Sequence, residues 1–308
     1  MRTAFIKELE EQAARDPRVM LITGDLGFTV FEPFIKRFPK QFLNAGVAEQ
    51  NMTGVAAGLA LSGKIVFTYS IANFPTLRCL EQIRNDVCYH KANVKVVSVG
   101  AGLAYGALGS SHHALEDLAI LRALPEMTVV APGDPFEAAA ATEAIVRHDG
   151  PCYLRLGKAG EPAVHPRAPG FTLGRAIRVR DGGDLTLIAT GTMLKACADA
   201  AAKLEAEGIS TRLLSMHTVK PIDAEAILLA AEETGAVMTV EEHGVIGGLG
   251  GAVAEVLAQG ASKRVPFAIM GVKGGFCRIV GSQDYLKAQF GLGVDDIVAR
   301  AKALVVPV

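Results

Sequence analysis

The sequence is most readily narrowed by what it does not contain. No uninterrupted apolar run approaches the roughly 20 residues needed to cross a bilayer as a helix. The amino-terminal stretch MRTAFIKELEEQAARDP is a charged amphipathic helix candidate without the apolar core of a signal peptide. Neither sign of charge is in excess: 31 basic and 32 acidic residues leave a formal net charge of -1, so no nucleic-acid footprint is expected. The five cysteines (Cys79, Cys88, Cys152, Cys197 and Cys277) are odd in number, far apart and without CxxC or Cys/His ligand spacing. That pattern predicts reduced, buried thiols rather than a disulfide framework or a zinc site. The expectation is a cytoplasmic protein with neither a membrane nor a nucleic-acid partner.

What is present is mainly apolar. The 308 residues are 50% hydrophobic and 20% charged, enough for two cores. Short apolar runs at 19–23, 64–69, 94–99, 127–132 and 152–156 read as strands, separated by helical patterns at 48–62, 77–90, 113–124 and 134–147. The stretch GKAGEPAVHPRAPGFTLG (157–174), with three prolines and four glycines, then interrupts the alternation. It resumes with strands near 184–190, 211–216, 236–242 and 265–271 and helices near 192–207, 223–234, 247–259 and 282–303. Strands this apolar, each followed by a helix, predict an α/β fold of two domains, each a mainly parallel sheet covered by helices. The boundaries expected are residues 1–158 and 177–308, with a linker over 159–176.

Ligands of open α/β sheets bind beyond the carboxyl ends of the strands, so the strand-to-helix junctions are the candidate sites. TGDLGF (23–28) is one. NAGVAEQ (44–50) puts Glu49 at the mouth of a helix whose later turns are almost all Gly, Ala, Val and Leu. There it either stabilises the helix dipole or takes part in chemistry. YSIANFPTLRCLEQIRND (69–86) brings Phe74 and Arg78 to a loop and helix start. GAGLAYGALGSSHHALED (100–117) is a Gly-rich loop ending in His112 and His113, either a proton-transfer pair or the unreactive approach to a helix. Adjacent histidines do not share a helix face, which argues against a metal site there. GGLGGA (247–252) has the look of a dinucleotide turn, but a lone Gly-rich turn more often reflects tight helix packing.

Taken in order, GVAEQNMTGVAAGLALSGK, LEQIRNDV, GSSHHALEDLAILRALPEMTVVAPGDP, DGPCYLRLGKAG, LLSMHTVKPID and TVEEHGVIGGLGGAVAEVL resemble the C-terminal half of transketolase over nearly the whole chain. That half is a pyrimidine-binding domain followed by a C-terminal domain. The resemblance implies thiamine diphosphate as cofactor, with Glu49 in the position that bonds the N1′ atom of its aminopyrimidine. A carboxyl partly desolvated by apolar neighbours holds its proton more readily and can share it with a ring nitrogen.

By the same resemblance, Phe74 packs on the aminopyrimidine, Ile71 replaces a nearby Phe, and Asp25 lies near the cofactor and the boundary between subunits. His112 faces the reacting carbons, His113 takes the place of a Gln, and Arg78 and Lys158 match positions that hold a sugar phosphate. His243 of VEEHG is expected to be structural. Gly100 and Leu108 stand where usual transketolases carry a His and an Asp that contact ketose hydroxyls, so the sugar is expected to differ.

One family feature is missing: no GDG motif, the source of the Mg²⁺ site for the diphosphate, occurs in the sequence. The resemblance therefore implies the C-terminal subunit of a split transketolase, with Mg²⁺ ligands supplied by an N-terminal partner subunit, homodimer contacts and an α2β2 assembly. Other readings are the β subunit of a 2-oxo-acid dehydrogenase, a deoxyxylulose-phosphate-synthase-like enzyme, and a non-catalytic scaffold subunit.

Overall fold

The computed structural model describes residues 1–305, so residues 306–308 of the expected second domain lie outside it. Among the described residues, twelve strands form two sheets: β1 Val19–Thr23, β2 Phe42–Asn44, β3 Ile65–Ile71, β4 Val94–Val99, β5 Thr128–Val130, β6 Cys152–Leu156, β7 Ile177–Arg180, β8 Leu185–Ala189, β9 Thr211–Ser215, β10 Thr218–Lys220, β11 Ala236–Gly244 and β12 Phe267–Val272. The first sheet runs β10-β5-β6-β4-β3-β1-β2 and the second β12-β11-β8-β9-β7. Every pairing is parallel except β10 on β5 and β7 on β9. The central strands β4 and β6 are buried along their whole length, as near-continuous apolar runs require when helices cover both faces of a parallel sheet. All five cysteines are buried and unpaired.

This topology fixes where chemistry can occur. From β1 the chain steps outward to β2, then returns to the other side of β1 to form β3, so the sheet reverses its winding direction between β1 and β3. The loops leaving the carboxyl ends of those strands diverge there and open a crevice. The helix Glu49–Leu61 begins beside this point, with Glu49 next to Gly24 at the carboxyl end of β1.

Three short strands, β2, β7 and β10, are absent from the sequence-based expectations because three or four residues give too little period to detect. The strand β10 matters most, because it follows β9 of the second sheet yet completes the edge of the first and laces the halves together. The helix expected over 77–90 is instead a tight turn at Leu77–Cys79, a short α-turn and a widened helical segment at Ile83–Cys88. Residues 113–124 are helical only over Asp117–Ala123; His113 is extended. The helix expected over 282–303 is two, Gln283–Gln289 and Val294–Val305, broken where Gly291 takes a φ of +65°.

A buried ionic cluster lies where the two sheets meet. Arg155 on β6 donates to Asp117 Oδ2 at 2.7 Å and to the carbonyls of Ala114 (2.6 Å) and Glu242 (3.0 Å). Tyr153 donates to the same Asp117 oxygen at 2.5 Å. Burial pushes the Asp117 carboxyl up, but the Arg155 charge and the bonds from Arg155 and Tyr153 outweigh it and hold its pKa below the ordinary value. Burial drives His243 down to about 4, so its ring is neutral, with Nδ1 2.7 Å from the Gly244 carbonyl. The ring is buried at the junction of the sheets.

Candidate active site

Gly24, directly after β1, places Glu49 and Ser70 at this end of the sheet: a Cβ on it would lie in ordinary contact with both, 3.5 Å from Glu49 Cγ and 3.7 Å from Ser70 Oγ. Glu49 is the first residue of its helix and is buried, while Thr53 Oγ1 ties down its carbonyl at 2.9 Å. Among the described residues no helix amide donates to the Glu49 carboxylate. Its partner is Arg78, whose Nη1 donates to Oε2 at 2.8 Å. The pair is asymmetric: the Glu49 side chain is 2% exposed and that of Arg78 48%. Dipole stabilisation by position remains, but the carboxylate points at another element.

From Arg78 the contacts run on across the mouth. Its guanidinium carbon lies 4.8 Å from the centroid of Phe74, and the Phe74 ring meets that of His112 edge-on at 5.1 Å. His112 packs in turn near Tyr105 (6.4 Å), over which Lys158 Nζ lies at 5.2 Å. Glu49, Arg78, Phe74, His112 and Lys158, drawn from four separate loops, thus line one continuous surface. Ile71 ends β3 half-buried at the base of this loop. Asp25 sits at the rim with φ +55°, where its Oδ1 accepts from Asn44 at 2.9 Å and its amide donates back at 3.0 Å. The same Asn44 oxygen accepts from the Gly46 amide at 3.0 Å, so Asp25 braces the loop that presents Glu49.

The two histidines are not a pair. His112 is half-buried with Nδ1 3.0 Å from Ser111 Oγ. His113 turns inward, buried, with neither ring nitrogen hydrogen-bonded among the described residues. Burial lowers its pKa, so it is a neutral imidazole at neutral pH. It lines a separate cleft of about 650 Å³ with Asn73, Leu77, Ile246 and Phe276.

The Gly-rich loop is held from the second sheet. The Glu242 carboxylate accepts from the Leu103 amide at 2.7 Å, Thr192 Oγ1 at 2.6 Å and Gln283 Nε2 at 2.9 Å. Gly102, at φ +60°, lies so close that a Cβ would sit 2.6 Å from Glu242 Cγ. Gly102→Ala is expected to shift this loop, with a cost of about 2–4 kcal/mol from overpacking and a left-handed backbone, read as a lowered melting temperature. At Gly100, φ +94°, a Cβ would meet the Tyr105 ring at 2.2 Å, so this loop has no space for a larger side chain there. Sequence reasoning misses Glu242 and Tyr105; a charged pair inside the apolar run AVMTVEEHG is the available signal for Glu242.

The GGLGGA turn is closed to anions. Glu241 accepts from the amides of Leu249 and Gly250 at 2.7 and 2.8 Å, capping that helix internally, and burial raises its pKa to about 7 against those bonds. A Cβ at Gly250 would strike Ile269 at 2.4 Å, which is the tight packing its sequence suggested.

Residues 1–160 match the family model described as transketolase, pyrimidine binding domain, and residues 174–297 that described as transketolase, C-terminal domain. The chain belongs to the transketolase family. It is 41% identical to a 6-deoxy-6-sulfo-D-fructose transketolase subunit of Clostridium sp. (strain MSTE9), covering 98% of this chain and 93% of that one. It is 40% identical to an apulose-4-phosphate transketolase subunit of Phocaeicola vulgatus, covering 97% and 96% respectively. A solved structure described as split gene transketolase, inactive β4 tetramer, superposes with a TM-score of 0.91 at 41% identity and covers 99% of both chains. In this transketolase-family chain, the α/β architecture of two mainly parallel sheets is the one the two family domains share.

Proposed function

We propose that this chain is the C-terminal subunit of a split, thiamine-diphosphate-dependent transketolase that moves a two-carbon ketol unit between sugars. The observation that carries the reading is the buried Glu49 carboxylate joined through the Arg78 guanidinium to the Phe74 ring, at the sheet's reversal point. An aminopyrimidine asks for those two things, a carboxyl that can share a proton with a ring nitrogen and accept the N–H of its protonated form, and an aromatic surface. The fit has a physical stand-in, since the planar, N–H-donating Arg78 guanidinium already engages both groups.

In this proposal Glu49 bonds the pyrimidine, Phe74 and Ile71 pack on it, and Asp25 steadies the neighbouring loop where subunits meet. His112 faces the reacting carbons as proton donor or acceptor, and Lys158 supplies positive charge at the outer mouth. The buried His113 acts only by shaping the loop. Thiamine diphosphate, when bound, supplies the nucleophilic carbon; the protein supplies orientation, water exclusion and proton control. Mg²⁺ and the diphosphate would be held by an N-terminal partner subunit, within an α2β2 assembly. The relatives' names, a sulfosugar transketolase and a sugar-phosphate transketolase, support an anionic sugar as substrate.

The test is reconstitution. This chain and a GDG-containing transketolase N-terminal chain are assayed singly and mixed, with ketose phosphates as donors. Ketol transfer confined to the mixture is the expected result. Transfer by this chain alone, or none in any mixture that assembles, contradicts the proposal.

A further inference from the structure

Arg78 is placed like a ligand. Its guanidinium is flat and cationic, lies 4.8 Å from the Phe74 centroid and donates to Glu49 Oε2 at 2.8 Å. The His112 ring takes up another side of Phe74 at 5.1 Å. A second planar group cannot bond Oε2 of this carboxylate and cover the same face of this ring without moving Arg78. The Arg78 side chain is free to move, being about half exposed and bonded, among the described residues, to Glu49 alone. Glu49 is not: it is 2% exposed and rooted in the first turn of its helix.

We propose that Arg78 is an internal competitor for the cofactor pyrimidine: it neutralises the buried Glu49 carboxylate in the cofactor-free chain and swings outward when the cofactor binds. Arg78 thereby sets cofactor affinity. A buried carboxylate without a counter-charge is costly, so a displaceable cation keeps the empty site folded. Cofactor binding exchanges that ion pair for the pyrimidine contact, and the affinity falls by the worth of the pair. The proposal rests on Glu49 being the pyrimidine contact.

The experiment is calorimetric titration of thiamine diphosphate, with Mg²⁺, into the assembled two-chain complex carrying wild-type, Arg78→Gln, Arg78→Lys, Glu49→Gln or doubly substituted Glu49→Gln/Arg78→Gln chains. Arg78→Gln is expected to tighten binding by about threefold to tenfold, the range for a charge-assisted bond with one half-exposed partner. Arg78→Lys, which keeps the charge but not the flat fork, falls between. The gain disappears in the Glu49→Gln background. Unchanged or weaker binding by Arg78→Gln, while Glu49→Gln still abolishes turnover, overturns the competitor and leaves the site assignment intact. Unchanged affinity and turnover in Glu49→Gln overturns the site assignment itself, and the competitor with it.

Discussion

Glu49→Gln in the reconstituted enzyme is expected to lower turnover by about 10²- to 10⁴-fold, the range for removing a positioned proton-transfer partner, with little change in melting temperature. The substitution keeps shape and hydrogen-bonding capacity and removes only the ionisable oxygen. Stability is spared because a neutral amide needs no counter-charge in a site 2% exposed, and the released Arg78 is half in water. A residue that merely favours its helix dipole behaves otherwise: its loss costs about 0.3–1 kcal/mol of stability and no chemistry. Steady-state rates and a thermal melt on the same preparation separate the two.

The second large effect is on stability. Arg155→Met leaves the Asp117 carboxylate fully buried beside Tyr153 and His243 with its main counter-charge gone. The expected loss is about 3–5 kcal/mol, as for other buried pairs broken on one side. Arg155 also bonds the carbonyls of Ala114 and Glu242, so the loss includes the junction between the sheets and the base of the Gly-rich loop. Adding Asp117→Leu removes the stranded charge and recovers part of the loss. Denaturant unfolding of the three chains reads both steps; a double variant no more stable than Arg155→Met would mean that the junction bonds, rather than the charge, carry the energy.

Much of this is legible in the sequence. Apolar runs such as VKVVSV and CYLRL are buried central strands because a parallel sheet covered on both faces leaves them no polar side. The capped helix at Pro135–Arg147 follows from Asp134, which accepts from the Glu137 amide at 2.8 Å. Glu49 stands out as a charge before an apolar helix, and it is buried. Three features are not legible, each because a distant segment decides it. The strand β10 owes its place to the free edge of β5, to which its own three residues give no clue. Backbone direction alone separates His112 from His113, one half-buried among aromatic rings and the other turned into a different cleft. Arg78, matched by resemblance to a sugar-phosphate position, lies on Glu49 and Phe74, a contact that the 29-residue sequence separation of the paired charges hides from any local pattern.

The central claim, that this chain carries the pyrimidine half of a site completed by another polypeptide, is tested most directly by calorimetry. Thiamine diphosphate is titrated, with Mg²⁺, into this chain alone and into its mixture with a GDG-containing N-terminal chain. Tight binding in the mixture and none alone is the result the account predicts. Equally tight binding by the isolated chain would contradict it and require a diphosphate site within these 308 residues.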